Sequence, residues 1–185
     1  RARLSEFSRE VPGDVEALRR LADLSARTGN AEHAVDTLTR LVEVETGDDL
    51  VHDALRLADA CEQLGRPEEA RVALERALGV DRRRPDLRQR LAGVYSAIGA
   101  VRELSEMLLE DAQHGKDPAE QKRLLLRAGE LLLASDGQAD AAVRILEMVR
   151  EQDADNIDAV VLLSRAYGGA QRSGDALALL TSVTE

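Results

Sequence analysis

The chain has 185 residues, of which 44% are hydrophobic and 2% aromatic, and its formal net charge at pH 7 is −10. This hydrophobic content supports a continuous core and excludes a disordered chain. The negative charge argues against a nucleic-acid-binding protein, because binding a phosphate backbone needs a basic surface. No apolar run approaches the roughly 20 residues that would span a bilayer, so membrane insertion is not expected.

Apolar residues recur along the chain with the spacing of helices, and strand-like alternation is missing. Leu18, Leu21, Ala22 and Ser25 show the i, i+3, i+4, i+7 pattern in the first predicted helix. The pattern is interrupted by glycines spaced 36, 34 and 38 residues apart: Gly29, Gly65, Gly99 and Gly137. A period near 34 indicates repeated helix pairs. The five predicted units begin near Val15, Val51, Pro85, Lys122 and Ile157.

Within the units, small and large apolar residues occupy fixed positions, counted from the first residue of each unit. The second unit places eight of them at positions 4, 7, 8, 11, 15, 20, 24 and 27: Ala54, Leu57, Ala58, Cys61, Gly65, Ala70, Leu74 and Ala77. Two of the three aromatic residues, Tyr95 and Tyr167, fall at position 11. This pattern resembles the tetratricopeptide repeat.

The resemblance implies an all-α fold, a right-handed α-solenoid of stacked antiparallel helix pairs. Small side chains at positions 8 and 20 would let the two helices of a pair nest, and stacking would extend the core from pair to pair. Repeats of the Sel1 or HEAT type are the alternative, but they usually run to different periods.

The predicted organisation is a single array over residues 1–185. Its predicted parts are a partial repeat at 1–14, repeat 1 at 15–50, repeat 2 at 51–84, an irregular repeat 3 at 85–117, repeat 4 at 118–156 and repeat 5 at 157–185. Repeat 3 is irregular because Leu104 stands at position 20 and Asp111 at position 27, where small residues are expected. We therefore expect looser nesting of its two helices.

No catalytic or cofactor-binding motif is present in the sequence, so an enzyme is not expected and no cofactor is predicted. The single Cys61 and the three histidines show no spacing typical of a metal site. Cys61 lies on the apolar face of its helix, which predicts a buried, unreactive thiol.

Arginine recurs at position 6 of the first four units: Arg20, Arg56, Arg90 and Arg127. In the family that the sequence resembles, the first helix of each pair lines a concave groove, and positions 2, 5, 6, 9, 12 and 13 commonly meet the ligand. The four arginines are therefore the predicted partner-binding residues, suited to carboxylates of a protein or peptide.

A local explanation competes with this one, because acids lie three residues after three of the arginines: Asp23, Asp59 and Glu130. Pairs at this spacing are neighbours on a helix and would satisfy the arginines locally. Arg90 is followed by Gly93 instead, which makes Arg90 the predicted anchor for a partner.

The predicted function is that of a protein–protein interaction scaffold with a ligand in the groove. A carboxylate clamp of the chaperone-binding type is not predicted, because Arg19 and Asp23 stand at its positions. One alternative is self-assembly through an apolar edge formed by Leu177, Leu180 and Val183; the other is a regulatory segment of a larger enzyme.

The source and compartment are inferred from composition alone. Arginine outnumbers lysine 23 to 2, which is typical of a bacterial protein with GC-rich coding. A single cysteine is compatible with a reducing compartment, which favours the cytoplasm. The absence of an initiator Met and the partial first repeat predict a piece of a longer protein.

Overall fold

The computed structural model describes residues 14–184, apart from the side chains of residues 182–184. These residues form ten α-helices and no strand, which confirms the predicted all-α class. No helix in this part of the chain is long and apolar enough to cross a membrane. The helices are α1 (Val15–Arg27), α2 (Ala31–Val44), α3 (Gly47–Leu64), α4 (Pro67–Leu78), α5 (Pro85–Ile98), α6 (Val101–His114), α7 (Pro118–Leu133), α8 (Ala139–Gln152), α9 (Ile157–Gly169) and α10 (Ser173–Thr184).

Short polar connections begin and end these helices. The Asp14 carboxylate accepts a hydrogen bond from the Ala17 amide at 3.1 Å, and the Asn30 side chain accepts one from the His33 amide at 3.2 Å. Gly65 ends α3 in the left-handed conformation, with φ of 65°, which only glycine adopts without strain. Since few residues separate α1 from α2 and α3 from α4, the turn in each of these pairs folds the second helix back onto the first.

The chain divides into two compact units, and the described part of unit 1 runs from residue 14 to Ile98. In unit 1 each of the helices α1 to α5 packs on the next, and α3 also touches α5. Its core includes fully buried leucines such as Leu18, Leu41, Leu74 and Leu91. These residues lie on the apolar faces predicted from the helical spacing.

Unit 2 begins at Gly99 and contains α6 to α10. Here too each helix packs on the next, and α7 also touches α9. Its core contains Leu132, Val143, Leu146 and Leu163, all buried. The boundary between the units falls inside the predicted repeat 3, between α5 and α6. The single array, its repeat boundaries and the handedness of the solenoid stay predictions.

The two tyrosines occupy equivalent sites in the two units. Both are buried, and each donates its hydroxyl hydrogen to a glutamate 20 residues earlier. The Tyr95 hydroxyl lies 3.0 Å from Glu75, and the Tyr167 hydroxyl lies 2.8 Å from Glu147. In both cases the bond links the first helix of one pair to the second helix of the preceding pair, as expected for the same position in two repeats.

Gly129 in α7 shows how closely two helices approach at position 8. A Cβ atom added there would lie 2.6 Å from Cδ2 and 2.8 Å from Cγ of Leu146, which is fully buried in α8. At Gly93 in α5, a Cβ atom would have nothing within 4 Å. The first glycine is required by packing, and the second is not.

We therefore expect Gly129→Ala and Gly93→Ala to change stability in opposite directions. Overpacking costs roughly 1–3 kcal/mol and should outweigh the helix propensity gained at Gly129. Gly93→Ala should raise the free energy of unfolding by about 0.5–1 kcal/mol, since alanine favours a helix interior over glycine. Urea denaturation followed by circular dichroism measures both effects, and a stabilised Gly129→Ala would contradict the close approach.

Candidate partner-binding groove

The predicted partner-binding arginines are divided between the two units. Arg20, Arg56 and Arg90 lie on α1, α3 and α5 of unit 1, and Arg127 lies on α7 of unit 2. Each therefore belongs to the first helix of a predicted pair. Their surroundings differ, and those differences decide which of them is available to a partner.

Arg56 is held by carboxylates on two helices. Its Nη2 donates to Asp23 Oδ1 of α1 at 2.6 Å, and its Nη1 donates to Asp53 Oδ1 at 2.9 Å. The Arg56 side chain is 24% exposed, and the Asp53 side chain is only 3% exposed. Arg56 thus neutralises a buried carboxylate and joins α1 to α3.

Arg90 has no acid three residues on, as the sequence shows, but it does have carboxylate partners on another helix. Its Nη2 donates to Asp59 Oδ1 at 2.8 Å and to Glu62 Oε2 at 2.6 Å, both on α3. Its side chain is 30% exposed. Spacing along α5 does not reveal these partners, because they lie on the preceding first helix.

Arg20 and Arg127 are the more exposed members of the set, with 70% and 60% of their side chains accessible. The predicted pair of Arg127 with Glu130 is confirmed, at 3.2 Å between Nη1 and Oε2. Arg20 pairs with Glu16 at 3.0 Å rather than with Asp23, so that prediction is wrong. Both arginines make local, exposed ion pairs, which contribute little to stability.

In unit 1 the arginine at position 6 binds the aspartate at position 9 of the preceding repeat. The residues that pair are 33 apart for Arg56 with Asp23 and 31 apart for Arg90 with Asp59. This separation in sequence equals the length of one repeat minus about one helical turn. Stacking of successive first helices therefore brings the two side chains together. The predicted pair of Arg56 with Asp59 is replaced by this staggered arrangement.

A buried carboxyl pair lies at the junction of repeats 1 and 2. Arg19 donates to Glu45 Oε1 at 2.7 Å and also pairs with Asp49 at 2.6 Å. Glu45 Oε2 is buried and receives no hydrogen bond among the described residues, and the Asp53 carboxyl is its neighbour. Burial raises the pKa of Glu45, Asp53 raises it further, and Arg19 opposes both effects.

An open cleft with a volume of about 560 Å³ lies between α3 and α5, beside the start of α4. Its lining is mainly apolar and is formed by twelve residues: Leu55, Ala58, Glu62, Gly65, Pro67, Ala70, Asp86, Gln89, Arg90, Gly93, Val94 and Ala97. The lining includes residues at each of positions 2, 5, 6, 9, 12 and 13. A second cleft of about 600 Å³ at the turn between α1 and α2 has a more polar lining.

Cys61 is fully buried in α3, where the apolar pattern predicted it. Burial raises the pKa of Cys61 to about 11, with a further contribution from Glu69. The thiol therefore stays protonated near neutral pH and has no access to solvent. Its surroundings are those of a small core residue.

Comparison with known families matches residues 51–94 to the model of the tetratricopeptide repeat. The match covers most of α3, all of α4 and most of α5, and it therefore includes most of the cleft. Residues 51–94 therefore carry the sequence pattern of a tetratricopeptide repeat. No curated protein matches it.

Several solved structures resemble this chain at low identity. YrrB, described as a repeat protein with an unusual peptide-binding site, is 18% identical, with 97% of this chain and 90% of YrrB covered and a TM-score of 0.49. MamA is 16% identical, with 91% of this chain and 89% of MamA covered and a TM-score of 0.48. MamA from Desulfovibrio magneticus RS-1 is 18% identical, with 93% and 94% covered and a TM-score of 0.45. Likeness at this level gives no information about the partner of this chain.

Sequence reasoning missed the buried carboxylates and the ion pairs between repeats. Glu45 and Asp53 are acidic yet buried, and their burial depends on packing between repeats that no local pattern reveals. The staggered ion pairs did leave a signal, because Asp23 and Asp59 share position 9 in successive repeats. Aligning position 6 with position 9 of the preceding repeat would have found them.

Two matched substitutions test the different surroundings of the arginines. Arg56→Ala should lower the free energy of unfolding by roughly 1–3 kcal/mol, because it leaves the buried Asp53 without its cation. Arg20→Ala, at the same position of repeat 1, should change it by less than about 0.5 kcal/mol. Equal effects of the two variants in urea denaturation would show that Asp53 does not depend on Arg56.

Replacing Glu45 by glutamine should stabilise the chain at neutral pH. The amide oxygen can accept from Arg19, and its NH₂ group can donate to Asp53. A raised pKa means that the folded state binds the proton more tightly, so wild-type stability falls as pH rises from the ordinary glutamate value, about 4.3, through the raised value. The glutamine of the Glu45→Gln variant does not ionise, so the variant does not lose stability in this way. The difference in unfolding free energy between the variant and the wild type should therefore grow across this pH range and then level off.

The control for this pH dependence is Glu43→Gln, which changes an exposed carboxyl two residues earlier. The difference in unfolding free energy between each variant and the wild type is measured at a series of pH values. A Glu45→Gln difference that stays constant, or that shrinks as pH rises, would contradict a raised pKa at Glu45.

Proposed function

We propose that this chain is a protein–protein interaction scaffold that binds a peptide or protein segment in the groove between α3 and α5. The observation that carries this proposal is the composition of the cleft. Its lining contains residues at all six ligand-meeting positions that the family resemblance implies. They come from two successive first helices, which is where a groove of this family would lie.

The chemistry of the cleft supports a macromolecular ligand. Leu55 and Val94 are partly accessible, while Gly93 and Ala97 are small and exposed, so side chains of a partner have room to enter. Apolar surface that is accessible in a concavity gains free energy when a partner covers it. Polar groups at the edge, such as Gln89 and Glu62, would fix the orientation of a bound segment.

The predicted carboxylate partner for the four arginines needs revision at this site. Arg90 is the arginine at the cleft, and its guanidinium is already bound to two carboxylates. Any acidic group of a partner has to compete with both of them. Arg20 and Arg127 are exposed but make local ion pairs, and they do not line the cleft.

Self-assembly remains the second candidate function. Leu177 and Leu180 on α10 are 67% and 49% exposed, as the sequence predicted, and Val183 lies beyond the described side chains. Exposed apolar side chains on one helix favour association. Light scattering over a range of protein concentrations tests this, since Leu177→Lys should then lower the measured mass.

Filling the cleft tests the scaffold function directly. We expect Gly93→Leu to keep the fold, because a side chain at Gly93 meets open space and leucine favours a helix. It should also abolish binding, because the side chain occupies the cleft. The matched control is Ala119→Leu, which adds the same side chain to an exposed residue of α7 that does not line the cleft.

The measurement is affinity capture from a lysate of the source cell with the three immobilised chains, followed by quantitative mass spectrometry. Proteins bound by the wild type and by Ala119→Leu but lost by Gly93→Leu would support the groove. Proteins bound equally by all three chains would place binding elsewhere on the molecule, and self-assembly would become the leading function if none bound.

A further inference from the structure

Carboxylates surround the apolar cleft between α3 and α5. Glu62 and Asp86 line it, and Asp59 lies beside it, bound to the same guanidinium as Glu62. Among the described residues that line the cleft, Arg90 is the single cation. The charges of these four side chains sum to −2, so the edge of the cleft is acidic.

The bonds of Arg90 leave this negative charge available. One nitrogen, Nη2, binds both Asp59 and Glu62, and it uses only Oδ1 of the first and Oε2 of the second. The other oxygens, Asp59 Oδ2 and Glu62 Oε1, have no hydrogen-bond partner among the described residues. Both side chains are well exposed, so these oxygens can accept from a cation that approaches from solvent.

The surroundings do not reverse this sign. Arg84 pairs with Asp86 at 3.2 Å but also binds Asp48 at 3.0 Å, so its charge is shared between two carboxylates. Arg56 on α3 is bound to Asp53 and Asp23. Arg66, between the lining residues Gly65 and Pro67, pairs with Glu32 at 3.7 Å and with Glu69 at 3.8 Å. The net charge of −10 for the whole chain adds a long-range attraction for cations.

From this geometry we infer that the cleft takes a basic amphipathic segment, in which an apolar side chain enters between Leu55 and Val94 while a neighbouring lysine or arginine binds Asp59 and Glu62. This inference rests on the proposed function and specifies its partner. It is opposite in sign to the carboxylate partner expected from the sequence. An acidic segment would meet uncompensated carboxylates and would have to displace them from Arg90.

Three pools of short fluorescent peptides test the charge preference. The pools share the same randomised Leu, Val and Ala positions and differ only in the flanking residues, which are Lys and Arg, Asp and Glu, or Ser and Gln. Fluorescence anisotropy titrations with the full chain should give at least about tenfold tighter binding of the basic pool than of the acidic pool at low salt. The preference should shrink at about 0.3 M NaCl, because salt screens exposed charges.

Two variants separate the cleft from its charge. Gly93→Leu should weaken binding of the basic and neutral pools, because the leucine side chain fills the apolar part of the cleft. The double variant Asp59→Asn, Glu62→Gln should remove the basic preference and leave neutral binding within about twofold. Glu16→Gln, which removes an exposed carboxylate of α1, is the control and should change nothing.

The outcomes distinguish this inference from the proposed function. In one outcome the acidic pool binds as tightly as the basic pool or more tightly, and Gly93→Leu weakens its binding. This result would support the groove as the binding site and overturn the inference of a basic partner. If the basic pool is preferred but the double variant keeps that preference, the inference is also overturned, because other charges are responsible. If no pool binds, both the basic partner and the peptide groove fail.

Discussion

Close approach of paired helices at position 8 is the constraint on which the rest of the structure depends. Ala22 and Ala58 occupy this position in repeats 1 and 2 and are almost completely buried, and Gly129 in repeat 4 leaves no room even for a methyl group. With small residues at the contact, large ones such as Leu57 and Leu74 can interdigitate around it. One face of each first helix is then buried, and its opposite face stays accessible.

Stacking of these first helices in unit 1 also determines which carboxylates the arginines bind. An arginine at position 6 lies close enough to the preceding first helix to reach the aspartate at position 9, as Arg56 and Arg90 do. A row of cations in the sequence is therefore largely neutralised by the protein itself. The carboxylates on α3 outnumber the arginines that bind them, and the accessible edge of the cleft is acidic.

The sequence predicted the helices and their apolar faces well, because both follow from local periodicity that recurs in every repeat. It also placed Tyr95 and Tyr167 in equivalent surroundings. The pairing of Arg56 with Asp23 was beyond that reasoning, since a search for neighbours on one helix ignores side chains a repeat away. Burial of Glu45 was equally hidden, because an acidic residue after a helix is ordinarily read as solvated. The division of the chain at Gly99 depends on packing between helices, which periodicity does not determine.

Gly93 connects the fold to the proposed binding site. Repeats 1 and 2 carry at position 9 an aspartate that binds the arginine of the next repeat, and repeat 3 carries this glycine there. Glycine in a helix interior costs about 1 kcal/mol relative to alanine, and no close contact in unit 1 requires it. What the glycine provides is space, because a longer side chain would enter the cleft beside Val94. At the position where repeats 1 and 2 use an aspartate for ion pairing, repeat 3 therefore leaves accessible the surface on which we propose that a partner binds.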